Sequence, residues 1–180
     1  IDAGYTLCME LKGRIDQYKA EHGRIPKLIM LKNHGIFVSG DTAEEIRSLY
    51  ASVLEPLRAE YDSLGVNEDL GIGEVGQDHE TEAKIREIFG EDAQFIESSG
   101  YFECVPGPIT PDHLVYSRAY PFTDELTQEN ADAYRAKHGF APKVVIHGDR
   151  VYGLGVTEKN AGLALLFAQD GAQVLKLSQA

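Results

Sequence analysis

An eleven-residue segment occurs twice. Tyr18-Lys19-Ala20-Glu21-His22-Gly23-Arg24-Ile25-Pro26-Lys27-Leu28 aligns with Tyr134-Arg135-Ala136-Lys137-His138-Gly139-Phe140-Ala141-Pro142-Lys143-Val144, and six of the eleven positions are identical. In both copies a helical pattern stops at a glycine, the residue that closes helices in left-handed backbone. A proline follows, and then an apolar strand, a turn, a return strand and a new helix start. The first copy places its strands at 27–32 and 36–39 and its next helix at Asp41 or Thr42. The second places its return strand at 151–154 and its helix from Thr157. The doubling predicts an α/β fold: a mixed sheet covered by helices, built on an internal repeat of a helix–strand–turn–strand–helix unit.

Along the chain, residues 3–22 read as a helix with Leu7, Leu11, Ile15 and Tyr18 on one stripe. Leu28 to Leu31 is a continuous apolar run, as a core strand shows. Thr42-Ala43-Glu44-Glu45 fits a capping box. It opens a helix whose buried face is Ile46, Leu49, Tyr50, Val53, Leu54, Leu57 and Tyr61, kinked or divided near Glu55 by Pro56. Residues 66–77 read as a linker, 78–89 as a short helix with Ile85, Ile88 and Phe89 inward, and 95–105 as strand broken at Gly100. A stiff connection at 106–111 leads to a short strand at 114–116 and a helix at 124–138. The organisation expected is 1–65, then a linker and short helix at 66–90, then a second α/β module at 91–180.

Composition excludes several partners. The formal net charge of −12 repels nucleic acid and anionic membrane, so neither is expected. An anionic substrate then needs a local positive site. Cys8 and Cys104 are too few for a disulfide framework and read as reduced thiols of a cytoplasmic protein. No apolar run approaches the roughly 18 residues of a membrane span. The chain opens at Ile1 rather than Met, directly in helical pattern, and is expected to be a piece of a longer protein.

The first turn carries Asn33-His34-Gly35. Asn and Gly tolerate left-handed backbone, which aims His34 from a strand end, and a neutral imidazole is a common metal ligand. Leu31-Lys32-Asn33-His34-Gly35, followed by Gly40-Asp41-Thr42-Ala43-Glu44-Glu45, closely resembles the last metal-ligand segment of the class II aldolase/adducin family. The resemblance is best over residues 1–63. The remainder is similar to the continuation found in bifunctional rhamnulose-phosphate aldolase/dehydrogenase proteins. The resemblance implies a zinc or similar divalent ion bound through histidines, with His34 as one ligand. It further implies retro-aldol cleavage of a ketose 1-phosphate to dihydroxyacetone phosphate and an aldehyde, in a homo-oligomer with sites near subunit boundaries. In that family a His-x-His pair and an acidic ligand come well before the Asn-His-Gly segment. This chain has no His-x-His, and 33 residues precede His34. The other ligands therefore lie upstream, or the metal site has been lost.

Pro111-Asp112-His113 resembles the Thr-Pro-Asp-His of the bifunctional relatives and makes His113 the second metal-ligand candidate. His22 and His138 sit in last helical turns, where a cation suits the dipole, and His79 reads as surface. The second turn, Gly148-Asp149-Arg150, has no histidine at its tip, and His147 lies on the strand end before it. Gly71-Ile72-Gly73-Glu74-Val75-Gly76 has dinucleotide spacing, but Asn67-Glu68-Asp69 rather than a strand precedes it, and Glu74 would face a pyrophosphate. Lys27, Lys32 and Arg24 are the cations near the first turn and could attract a phosphate. A non-catalytic reading also stands: adducin-like members of the family use the fold for interaction and oligomerisation.

Overall fold

The computed structural model describes residues 4–32 and 35–179. The chain divides into two compact units, residues 1–64 and 65–180.

In the first unit, α1 (Tyr5–His22) ends at Gly23, whose φ of 70° caps the helix with its N–H on the Lys19 carbonyl. β1 (Leu28–Leu31) and β2 (Gly35–Val38) pair antiparallel, from Leu28 with Val38 to Leu31 with Gly35. α2 (Ala43–Ser63) follows, N-capped by Thr42, whose hydroxyl accepts from the Glu45 N–H. The other half of the box is displaced by one residue: the Glu45 carboxylate accepts from the Asp41 N–H at 2.8 Å. Pro56 lies inside α2 without dividing it, since a long helix survives the loss of one backbone bond. The stripe Leu7, Leu11, Ile15 and Tyr18 is the half-buried face of α1. On α2 the expected apolar face is half-buried only through Val53, and Leu54, Leu57 and Tyr61 are exposed. No described residue of this unit is fully buried.

The second unit holds the closed core. Its elements are α3 (His79–Phe89), a 3-10 turn at Gly90–Ala93, β3 (Phe95–Gly100), α4 (Pro111–Tyr116), α5 (Gln128–His138), β4 (Val144–His147), β5 (Arg150–Gly155) and α6 (Glu158–Ser178). The sheet order is β3-β5-β4, antiparallel at both joins. Alternate residues of β4 and β5 enter two clusters, as the period of a strand requires. Val145, Tyr152 and Leu154 pack with Ile85, Phe89, Phe122, Leu126 and Tyr134. Val144 and Val151 pack with Phe102 and Ala172.

The segment 66–77 is strapped onto this unit rather than free. The Glu68 carbonyl accepts from Gln173 at 2.9 Å, Asp69 O from Lys176, and Gly76 O from Arg150. Leu70 and Ile72 pack against the second cluster, and α3 supplies Ile85, Ile88 and Phe89 to the core. Residues 66–90 therefore belong to the second unit, to whose core α3 contributes. Its glycine run enters no helix before Asp78. The expected strand at 114–116 is instead α4. Thr110 caps it, with Pro111 in the first turn, and a threonine cap with proline just inside is a helix start that outweighs three apolar residues. Two other bounds contract: β3 stops at Gly100, and α5 starts at Gln128 behind its cap Thr127.

Both units carry the same order of helix, αL glycine, hairpin and threonine-capped helix of 21 residues. Their registers agree as well. His147 pairs with Arg150 where Leu31 pairs with Gly35. The second hairpin joins its strands through 148–149, one residue fewer than 32–34 in the first.

β5 carries glycine at two successive positions of one face. A Cβ on Gly153 would stand 2.4 Å from the Ala161 carbonyl, and one on Gly155 would stand 2.4 Å from the Ala161 nitrogen. α6 thus lies directly on the strand backbone, with Ala161 and Ala164 fully buried. Gly153→Ala should lower the unfolding free energy by about 1–3 kcal/mol. Gly162→Ala faces open space on α6 and should raise it by about 0.5–1 kcal/mol. Urea denaturation followed by circular dichroism measures both, and effects of the same sign would contradict this packing.

Candidate functional site

His34 and Asn33 lie outside the described residues. At the opposite end of the hairpin, where the Ser39 N–H donates to the Lys27 carbonyl at 2.8 Å, the Lys27 ammonium contacts the Glu45 carboxylate. That contact, first through its hydrogen bond, raises the lysine pKa and lowers that of the acid. Lys27 is thus already neutralised within the first unit.

His113 is the candidate ligand that the structure describes. It lies on α4, 5% exposed, because the Thr110 cap sets the helix so that its third residue turns inward against α6. Thr110 Oγ1 lies 2.7 Å from Nδ1 and also accepts from the His113 N–H at 3.4 Å. The ring meets Phe167 edge-on at 5.6 Å, and Phe167 stacks on Tyr116 at 4.8 Å. Gly171 faces the ring, and a Cβ there would lie at ordinary contact distance from the imidazole, 3.4 Å. Nε2 is buried without a hydrogen bond, although Asp170 Oδ2 is 3.2 Å away. The carboxylate is close enough for a charge contact with a protonated ring but is not aligned with its N–H.

A spacing of 3.2 Å fits two ligands of one divalent ion, since zinc bonds of about 2.0–2.2 Å place neighbouring donors about 2.9–3.4 Å apart. The fit stops at two. Among the described residues no group of three or more His, Cys, Asp or Glu could hold a metal. Cys104 lines the same cavity, but burial pushes its thiol up to about 12, which keeps it protonated. That cavity, walled by Cys104, His113, Ser117, Arg118, Phe167 and Gly171, measures about 20 Å³, room for one water molecule. His113 and Asp170 alone do not complete a metal centre.

Asp170 was not legible as a partner of His113. Its signal was faint: α6 is mainly apolar, and Asp170 is the one acid after Glu158. Two of the other histidines sit against aromatic rings. His22 stacks near Tyr18, and His138 lies in an aromatic group with Tyr120, Tyr134 and Phe140. Tyr134 donates to the Tyr120 carbonyl at 2.6 Å, and burial holds its phenol at about 12. Comparison of the chain with known protein families, with curated proteins and with solved structures finds no match.

Two outcomes follow. Thr110→Ala should cost about 1–2 kcal/mol of stability through loss of the cap, read by urea denaturation. At pH 8, iodoacetamide should label exposed Cys8 and leave Cys104 unmodified until the chain is unfolded. Mass spectrometry of the peptides reads this directly, and equal labelling of both in the native state would contradict the burial of Cys104.

Proposed function

We propose that the chain is the downstream part of a metal-dependent sugar-phosphate lyase of the class II aldolase kind. It acts in the cytoplasm as a homo-oligomer, in retro-aldol cleavage of a ketose 1-phosphate such as rhamnulose or fuculose 1-phosphate. The hairpin supports this reading. Leu31 pairs with Gly35 on either side of the Lys32-Asn33-His34 sequence, and the Thr42-capped helix follows, in the order of the family's last ligand segment. The counterpart hairpin of the second unit is one residue shorter and has no histidine between its strands, so the extra residue falls where the chemistry is proposed. His34 would hold zinc or another divalent ion together with ligands from outside residues 1–180. When bound, such an ion supplies Lewis-acid polarisation of the ketose carbonyl.

One observation favours the second reading, adducin-like assembly without chemistry. The first unit buries no described residue fully and exposes Met30, Leu54, Leu57 and Leu64.

Elemental analysis of the natural gene product separates the two. The lyase reading expects stoichiometric divalent metal. It also expects His34→Ala to lower metal occupancy and ketose 1-phosphate cleavage at least tenfold, with the circular dichroism spectrum unchanged. A metal-free natural product, or unchanged occupancy in the variant, would sink the assignment and leave assembly.

A further inference from the structure

We infer that Arg118, Lys143 and the first turn of α6 form a binding site for a small oxyanion, a phosphate or phosphomonoester dianion. These groups share a cavity of about 180 Å³ in the second unit, lined also by Asp92, Gly155, Val156 and Asn160. It is far larger than one water requires.

Among the described residues neither cation has a carboxylate within 4.0 Å, although Asp92 lines the same cavity. Residues 65–180 hold nine Lys and Arg against nineteen Asp and Glu, so acids are not scarce. Arg86, Arg135 and Arg150 each lie within 4.0 Å of a carboxylate. Arg118 alone among the unit's arginines has none, and its Nε is buried without a hydrogen-bond partner. The guanidinium lies over the Phe140 ring at 4.8 Å, a contact that orients it without neutralising it. Arg118 is also the one described non-glycine residue at positive φ, 65°. A long side chain rarely adopts this conformation, and such strain collects at ligand sites. Lys143 gives one hydrogen bond, to the Val115 carbonyl at 2.8 Å, and keeps two donors. Burial first, and then the nearby Arg118 charge, lowers its pKa. An anion between the two would relieve that repulsion.

The remaining wall is a helix start. α6 runs 21 residues from its Thr157 cap, whose hydroxyl accepts from the Asn160 N–H at 3.1 Å. Asn160, the residue of that turn in the cavity wall, already spends its N–H on the cap, so α6 contributes the positive end of its dipole and no free donor there. A guanidinium fork with an ammonium matches a doubly charged oxyanion better than a single carboxylate. Asp92 and Glu158 oppose the anion. Asp92 lies 4.0 Å from Arg135, whose charge partly offsets it. The site stands apart from the lyase reading, since no metal takes part in it.

Calorimetric titration of the chain tests it, with inorganic phosphate, glycerol phosphate and acetate at one ionic strength, with and without EDTA. Saturable one-to-one binding of phosphate or glycerol phosphate is expected, with acetate at least tenfold weaker and EDTA without effect. Phosphate alone would identify the free ion as occupant, and glycerol phosphate a phosphomonoester. Arg118→Gln and Lys143→Gln should each weaken binding at least tenfold, and Asp92→Asn should tighten it. Arg118→Gly, which suits φ 65°, replaces Arg118→Gln if that variant misfolds. Absence of saturable binding, acetate binding as tight as phosphate, loss of binding in EDTA, or undiminished binding in the folded variants would overturn the site.

Discussion

The second unit depends on contact between a helix and the bare backbone of a strand. Gly153 and Gly155 remove side chains from one face of β5, and Ala161 and Ala164 do the same on α6. The helix therefore sits at backbone distance, and dispersion contacts replace the side-chain layer that would normally fill the gap. Much else is placed by this approach. α6 carries Phe167, Asp170 and Gly171 to His113, and Ala172 to the cluster around Phe102 and Val151. Its far end offers Gln173 and Lys176 to the carbonyls of the strapped segment.

The first unit has the same element order and the same hairpin register but not this contact. By that register Val38 stands where β5 has Gly153, and Ile46 where α6 has Ala161. Branched side chains at both positions prevent an approach at backbone distance. Its sheet has two strands, whereas β5 gains a third in β3. A two-stranded hairpin without a closed core is marginal by itself, and the exposed apolar residues of β1 and α2 agree with that. One pattern thus yields a closed core in one place and an open layer in the other.

His113 shows how a buried polar group is held between two helices. The Thr110 hydroxyl serves both the helix cap and the imidazole, Gly171 faces the ring, and Phe167 meets it edge-on. The pair with Asp170 joins α4 to α6, and its spacing resembles two corners of a metal site with no third among the described residues. Arg118 differs in kind, because an unusual backbone angle, a neighbouring like charge and a buried Nε without a hydrogen bond coincide there among the described residues.

Local sequence determined much of this protein. The stripe of α1, the glycine caps at 23 and 139, the threonine caps, the paired hairpins and the inward face of α3 follow from residue spacing and cap chemistry, which act within a few positions. The helix at Pro111–Tyr116 was also legible in principle, in Thr110 and Pro111, but its three apolar residues read as strand. Tertiary structure alone decided the rest. That 66–77 is a strap depends on donors about a hundred residues away. That Asp170 meets His113, and that Arg118 and Lys143 share a wall with the start of α6, depends on where α6 docks. That docking rests on the absence of side chains at Gly153 and Gly155. An absence leaves no periodic signal, and its consequence appears only when another element moves into the space.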